Sequence, residues 1–250
     1  MINLLKKTAL TLFGATLILS TQVQADVVGF QVGTDSWTPD YSGSISSGPD
    51  TIDFEDDLGF DDESHSLLWL KLEHPVPVIP NIKIVASDLD AKASSTLSRS
   101  ITFDGETFNA SADVNSRFDM SNTEFTFYYE LLDNWINLDA GLTLRQYDGQ
   151  ATIRTATASA TEDLDFTVPL LYLDARIDLP FTGFFVDSTL NTISAGDNSI
   201  SDISVSLGYE SSFGLGARLG IRTLDLEIDE DDVEADLEFD GTYLNVFYHF

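Results

Sequence analysis

The sequence predicts an all-β protein, an up-and-down antiparallel β-barrel that crosses a membrane with about ten strands, or with eight as the alternative count. Three observations predict this fold class. Apolar and polar side chains alternate with a period of two along most of the chain, which is the pattern of β-strands. Short turns alternate with long polar connections. The chain ends in an aromatic residue, Phe250, on one of the alternating segments.

The first 25 residues have the order of a secretory signal peptide. Lys6 and Lys7 precede an apolar run over 8–20, and small residues follow at Val23 and Ala25. This run is too short to cross a bilayer comfortably as a helix, although an uncleaved N-terminal anchor is the alternative. We therefore predict a signal peptide at 1–25 and an exported barrel at 26–250.

Composition excludes several classes of function. The chain has 42 acidic and 12 basic side chains, a net charge of −30, and loss of the signal peptide leaves ten basic residues and a net charge of −32. Such an acidic chain is not expected to bind nucleic acid, which requires a basic face. The absence of cysteine excludes disulfides, thiolate metal sites and cysteine nucleophiles.

Ten strands are predicted between the first residue of the exported chain and Phe250. They cover residues 27–37, 63–74, 81–98, 111–132, 135–146, 161–179, 184–191, 200–210, 214–225 and 236–250. The apolar parity shifts within 111–132, between Phe118 and Phe125. A bulge, or a strand that extends beyond the membrane, would explain this shift.

The connections differ in length in a regular way. Tight turns are predicted at 75–80, 133–134, 180–183 and 211–214. Longer polar connections are predicted at 38–63, 100–110, 146–160, 192–200 and 226–236. A soluble sandwich could share the alternation, but this sorting is typical of outer-membrane barrels, whose turns are periplasmic and whose loops are external.

The last predicted strand carries aromatic and apolar residues on one face: Leu244, Val246, Tyr248 and Phe250. This pattern resembles the C-terminal signal that Gram-negative outer-membrane proteins present to their assembly machinery. We interpret these four residues as an assembly signal. Aromatic residues also lie near several predicted periplasmic strand ends, including Trp135, Phe181 and Phe213, as in the aromatic girdles of such barrels.

Three further segments carry a resemblance that extends over nearly the whole exported chain: 72–81 (LEHPVPVIPN), 131–138 (LLDNWINL) and the acidic 55–63 (EDDLGFDDE). Together they resemble a family of Gram-negative outer-membrane β-barrel proteins whose members carry no settled activity. The resemblance implies a place in the outer membrane, with lipid, lipopolysaccharide and the assembly machinery as partners. It supplies no catalytic residue, and we expect a monomer without a cofactor.

Charged residues are expected on the inward face of the strands. They are Lys71, Glu73, Glu124, Glu130, Asp139, Arg145, Asp174, Arg176, Asp178, Asp187, Asp202, Glu210, Arg218 and Arg222. One interpretation is a lumen filled by salt bridges and hydrogen bonds. The alternative is a narrow pore, in which the excess of acids would favour cations.

Two acidic clusters are predicted in external loops. The first contains Asp50, Asp53, Glu55, Asp56, Asp57, Asp61, Asp62 and Glu63; the second contains Asp225, Glu227, Asp229, Glu230, Asp231, Asp232, Glu234, Asp236, Glu238 and Asp240. Carboxylates suit hard cations such as calcium, but neither cluster has the spacing of a calcium-binding loop. We predict no metal site here.

Only one of the three histidines, His65, is predicted at the external rim, beside Ser64, Ser66, Asp62 and Glu63. His74 and His249 are predicted at periplasmic strand ends. A surface hydrolase resembling the omptins, with His65 as general base, is therefore a second alternative, although no omptin motif matches. The favoured prediction is a non-enzymatic barrel with a role in the envelope or in surface contacts.

Overall fold

The computed structural model describes residues 28–46, 48–230 and 233–250, and the predicted signal peptide lies outside these ranges. The described residues form seventeen strands. In chain order these are β1 Gly29–Ser46, β2 Thr51–Asp53, β3 His65–Glu73, β4 Asn81–Asp88, β5 Asp90–Thr96, β6 Ile101–Phe103, β7 Glu106–Phe108, β8 Asp113–Asp119, β9 Asn122–Asp133, β10 Ile136–Tyr147, β11 Gln150–Arg154, β12 Ser159–Asp163, β13 Thr167–Asp178, β14 Phe184–Ala195, β15 Asn198–Glu210, β16 Leu215–Glu230 and β17 Val233–His249.

Ten of these strands close into one antiparallel barrel, in the order β1, β3, β4, β9, β10, β13, β14, β15, β16 and β17. The last strand returns to the first, with paired residues from Gln31 and His249 to Ser46 and Glu234. Closure leaves no unpaired edge in the barrel wall. The predicted fold class and strand count are confirmed. In the described part of the chain, no helix is long and apolar enough to cross a membrane.

The predicted tight turns are confirmed at one end of the barrel. They join β3 to β4, β9 to β10, β13 to β14 and β15 to β16. We call this the turn end, which is periplasmic in barrels of this type, and the opposite end the loop end. The first described strand begins at the turn end and the last strand finishes there.

All five connections predicted at the loop end are wrong in whole or in part. Residues 100–110 contain β6 and β7, and most of 146–160 belongs to β10, β11 and β12. The first strand continues through 38–46, and β14 and β15 leave only residues 196–197 between them. The strands β16 and β17 occupy nearly all of 226–236, of which residues 231–232 lie outside the described ranges. The physical reason is the alternation itself: Leu226 and Leu237 point inward between outward acids, so the strand period continues although the residues are acidic.

The parity shift in the predicted strand 111–132 has its origin in a break between β8 and β9. A matching break separates β4 from β5 at Leu89, and the amide of Met120 donates to the carbonyl of Leu89 at 2.8 Å. Beyond these breaks, β5, β8, β11 and β12 form a separate four-stranded sheet, here called the rim sheet. Strands that extend past the barrel therefore account for the shift.

The outward face of the barrel carries a continuous apolar belt. Its exposed members include Leu68, Leu72, Phe125, Phe127, Leu142, Leu144, Leu171, Leu173, Ile203, Val205, Leu207, Leu219, Ile221, Leu244 and Val246. Large apolar side chains remain exposed at this density in a protein only where lipid or a partner covers them. With the alternating polar interior, the belt defines the membrane-spanning part of the barrel.

The pattern of burial reverses towards the loop end. There the interior is filled by buried apolar side chains, here called the outer core: Trp37, Tyr41, Ile45, Phe54, Phe60, Leu89, Phe118, Met120, Leu224, Leu226, Leu237 and Phe239. Strand β16 illustrates the change, because its inward residues pass from Arg218 and Arg222 to Leu224 and Leu226. The loop-end half is thus packed like a water-soluble β-protein.

Candidate functional site

The lumen holds one large cavity, of about 720 Å³. At the turn end its wall includes Asp133, the last residue of β9, and residues of two turns, Thr182, Gly183, Ser211 and Ser212, so the cavity opens there. At the other end the outer core closes it, and the void found within that core measures only about 10 Å³. The cavity is therefore a pocket that opens at the turn end.

The structure places the sequence-predicted lumen charges together around this cavity. The wall contains Lys71, Glu73, Glu124, Glu130, Asp139, Asp174, Arg176, Asp178, Asp187, Asp202, Glu210, Arg218 and Arg222. Arg145 does not line the cavity. It is 1% exposed and forms ion pairs with two residues that do, Glu124 and Asp202. Sequence alternation alone had indicated each of these positions.

The deepest charges form a buried network beneath the outer core. The Nη2 atom of Arg145 lies 2.5 Å from Asp202 Oδ2 and 2.9 Å from Glu124 Oε1. Arg222 contacts the same Asp202 oxygen at 2.8 Å. Because two guanidinium groups share two carboxylates, the charges of this network balance, as buried charges must. Its role is to satisfy polar groups at the closed end.

Towards the turn end the side chains of the ion pairs are more exposed to solvent. Lys71 Nζ lies 2.8 Å from Glu73 and 3.2 Å from Asp139, and Arg218 lies 2.8 Å from Asp187. At the mouth, Arg176 contacts Asp178 at 2.8 Å and Glu210 at 3.0 Å. His249 also pairs with Glu210, at 3.0 Å. Each of these cations therefore already has a carboxylate partner.

Two buried aromatic rings, which the sequence pattern did not single out, lie beneath arginine side chains in the lower half of the barrel: Phe185 and Phe247. Phe185 lies flat against Gly208 and Phe247 against Gly216, so closely that a Cβ atom there would stand 2.2 and 2.1 Å from the rings. The guanidinium carbon of Arg176 lies 3.7 Å from the centroid of Phe185, a cation–π distance. Inward glycines paired across the sheet with bulky residues were the available sequence signal.

The cavity wall carries more acid than base. It contains eleven acidic residues against five lysines and arginines. Four of the acids, Asp35, Glu130, Asp133 and Asp174, form no ion pair with any described residue. Lys83 is the one basic wall residue without a carboxylate partner among the described ion pairs, and it lies over the ring of Tyr172 at 5.6 Å. The cavity wall thus carries a net negative charge.

His65 is not placed as a solvent-accessible base. It is 5% exposed at the loop end, and its Nε2 atom is hydrogen-bonded to the hydroxyl of Tyr41. Burial lowers the pKa of His65 from its ordinary value of 6.5, against the opposing effect of the Glu63 and Asp88 carboxylates. The other two histidines, His74 and His249, lie at the turn end.

The two acidic clusters occupy different kinds of structure. The first surrounds β2 in the connection between β1 and β3, where Asp57 is buried and meets Arg99 at 2.5 Å. Much of the second cluster stands on the outward face of β16 and β17, where three pairs of acids face each other directly, here called the carboxylate ladder: Asp225 and Glu238, Glu227 and Asp236, Asp229 and Glu234. Asp231 and Asp232 lie outside the described residues. Across the described ranges, no group of three or more potential ligands is arranged to hold a metal ion.

The closed ten-stranded wall, the apolar belt and the polar lumen define the fold of the Gram-negative outer-membrane β-barrels. A solved structure similar to this chain is the outer membrane protease OmpT from Escherichia coli, with a TM-score of 0.57, 8% identity, and coverage of 91% of this chain and 98% of OmpT. This similarity shows the fold alone.

Two other similar structures are also outer-membrane barrels. The transport unit of the autotransporter AIDA-I from Escherichia coli has a TM-score of 0.43 at 8% identity and covers 94% of both chains. The attachment invasion locus protein Ail of Yersinia pestis has a TM-score of 0.33 at 9% identity, covering 89% of this chain and 99% of Ail. No protein-family model matches the chain, and no curated sequence is significantly similar to it.

Proposed function

We propose that the protein is a non-enzymatic outer-membrane barrel that does not conduct, and that its acidic loop-end half makes contacts in the envelope or at the cell surface. The observation that supports this is the reversal of burial along the barrel. The membrane half is apolar outside and polar inside, while the loop-end half is acidic outside and apolar inside. A solid outer half serves a contact surface, whereas a channel requires a continuous polar path.

The location follows from the same division. The apolar belt matches a lipid bilayer, and the fold is shared with outer-membrane proteins. In that membrane the C-terminal strand would be the segment that the assembly machinery recognises. A closed wall needs no second copy to cover a strand edge, so we propose that the protein acts as a monomer.

The carboxylate ladder is the surface that we assign to envelope contact. On β16 it begins directly beyond the belt, where Ile221 is followed on the outward face by Thr223 and Asp225. This is the height of lipid headgroups in a barrel of this orientation. Directly opposed acids repel each other, and divalent cations that bridge carboxylates to phosphates would relieve this repulsion. The proposed partner is therefore lipopolysaccharide, held through divalent cations.

This proposal can be tested with the full chain folded in detergent and mixed with purified lipopolysaccharide. We expect association in magnesium that is lost in chelator, and weaker association for the variant Glu227→Gln/Asp236→Asn. A matched control, Glu106→Gln/Asp113→Asn, removes two exposed acids far from the belt. Magnesium-independent association, or equal weakening by both variants, would overturn the assignment of the ladder.

The hydrolase alternative has less support from the site. OmpT is a protease by description, but the histidine at the loop end of this chain is buried against Tyr41. A general base must reach its substrate within hydrogen-bonding distance. Peptide turnover that is lost in His65→Ala would overturn the non-enzymatic proposal.

A further inference from the structure

The cavity at the turn end is the strongest unassigned feature of the molecule. It is separate from the carboxylate ladder, because it faces the other side of the membrane and is enclosed by the barrel wall. Its volume of about 720 Å³ lies within the range of roughly 300–1,000 Å³ that is typical of small-molecule sites. One open end and one closed end give it the form of a binding pocket.

The middle of the cavity concentrates negative charge around few cations. Asp139 and Asp174 stand directly opposite each other on β10 and β13. Arg218 interacts electrostatically with Asp187, Asp174 and Asp35 but forms its ion pair with Asp187 alone. Asp35 and Asp174 both line the cavity, and neither forms an ion pair, although Thr189 donates a hydrogen bond to Asp174 at 2.5 Å.

One neutral hydrogen-bonding group near these acids also lacks a partner. Asp35 accepts hydrogen bonds from Trp69 Nε1 and from the Asn245 side-chain amide. The Oδ1 atom of Asn245 has no hydrogen-bond partner, although this residue is 1% exposed and belongs to the cavity wall. A buried acceptor without a donor is costly. Here the unpartnered acceptor lies beside a carboxylate, so the matching ligand group is a cationic donor.

Aromatic residues at the wall, such as Tyr172, and directly behind it, such as Tyr128, suit an ammonium group. Two of the chain's own ammonium groups already rest on these rings: Lys71 Nζ lies 4.9 Å from the centroid of Tyr128 and Lys83 Nζ lies 5.6 Å from that of Tyr172. Carboxylates and ring faces are the two kinds of surface that recognise amines. The lysines of the chain thus already make the kinds of contact that an amine ligand would make.

The spacing of the acids indicates an organic cation. No group of three or more potential ligands among the described residues is close enough together to hold a metal ion. Instead, acids without ion pairs extend from Asp133 and Glu130 at the mouth to Asp174 and Asp35 further in. An elongated molecule with several separated amines matches carboxylates that are distributed along a pocket.

We propose that the lumen binds a small polyamine that enters from the turn end, with Asp174 and Asp35 receiving its innermost ammonium groups. Asn245 accepts a further hydrogen bond there. The acids at the mouth, Glu130 and Asp133, attract the ligand and hold its outer amine. The ligand thereby supplies positive charge that the wall lacks.

The test is a calorimetric titration. Spermidine is added to the full folded chain in zwitterionic detergent, and the heat of binding is measured. We expect saturable binding at one site, and at least a tenfold weaker affinity for Asp174→Asn. The matched control Glu106→Gln removes the same charge from an exposed position outside the barrel lumen and should leave the affinity unchanged. Triethylene glycol, which is uncharged, should not bind.

Three results would overturn the proposal: no saturable binding of spermidine, equal weakening by Asp174→Asn and Glu106→Gln, or displacement of bound spermidine by magnesium at the same concentration of positive charge. Each variant is first checked for the heat-modifiable migration of a folded barrel. If Asp174→Asn does not fold, Asp35→Asn takes its place with the same expected loss. Because this site lies apart from the carboxylate ladder, lipopolysaccharide binding by Asp174→Asn and Asp35→Asn should not change, so the two proposals fail separately.

Discussion

The guanidinium carbon of Arg222 lies 4.5 Å from the ring centroid of Trp37, and this contact marks the boundary between two interiors. On one side Arg222 pairs with Asp202 in the polar lumen. On the other side Trp37, 1% exposed, packs into the outer core. A single cation–π contact therefore joins the charged half of the barrel to the apolar half, at the level where the cavity ends.

The first prediction concerns the outer core. Trp37→Ala should lower the free energy of unfolding by about 3–5 kcal/mol, as large-to-small changes of buried aromatics do. Urea titration of the detergent-folded barrel measures it. Trp135→Ala is the control, because Trp135 is exposed at the turn end, and its loss should be clearly smaller. Equal losses of unfolding free energy in the two variants would mean that the outer core contributes no more to stability than the surface does.

The second prediction concerns the buried ion network. Arg145→Met removes the cation from Glu124 and leaves Asp202 with Arg222 alone. Breaking a buried pair in this way costs about 3–5 kcal/mol, so the variant should unfold at a much lower urea concentration. Arg154→Met, at an exposed position of β11, should change stability little. A wild-type midpoint for Arg145→Met would contradict the network's role.

The third prediction concerns pH and His65. Its pKa is lower in the folded protein than the ordinary 6.5, so the unfolded chain binds more protons as the pH falls below that value. The contribution of His65 to the free energy of unfolding is therefore fully present above pH 6.5. It decreases as the pH falls towards the lowered pKa. Urea titrations between pH 7.5 and about pH 5 should show this decrease in the parent, and less of it in His65→Gln. Parallel pH profiles would exclude His65 as the cause.

The fourth prediction concerns assembly. Phe250→Ala should reduce the amount of heat-modifiable protein in the membrane fraction, because the terminal aromatic is part of the proposed assembly signal. Phe250 also meets Phe30 and Tyr248 in edge contacts with ring centroids 5.2 and 4.5 Å apart. Phe213→Ala serves as control, since Phe213 is an exposed aromatic at the same end. Equal membrane amounts for all three proteins would contradict the signal.

The barrel could be predicted from the sequence because alternation is a local property. Residues 136–144 and 203–209 alternate cleanly, and each becomes a membrane strand with its apolar face outward. The tight turns could be predicted equally well, since Asp133–Asn134 and Pro180–Gly183 interrupt that alternation with residues that favour turns.

The loop-end half could not be predicted in the same way. Alternation alone does not reveal which face of a strand points inward, and beyond the belt the apolar face changes from outside to inside without a break in the period. Leu226 was therefore predicted in an acidic connection, whereas it packs in the outer core with Leu224 and Phe239. The closure of the lumen depends on contacts between Trp37, Phe118 and Phe239, residues far apart in the chain, which a local pattern does not contain.

Planar-bilayer recording of the purified full chain tests the closure of the lumen most directly. A general porin in the same membranes provides the positive control for insertion and for conductance at high salt. We expect no steady conductance from this protein at either polarity, because the outer core fills the lumen beyond Arg222 and Trp37. A steady, cation-selective conductance would contradict the closed lumen and favour the narrow pore.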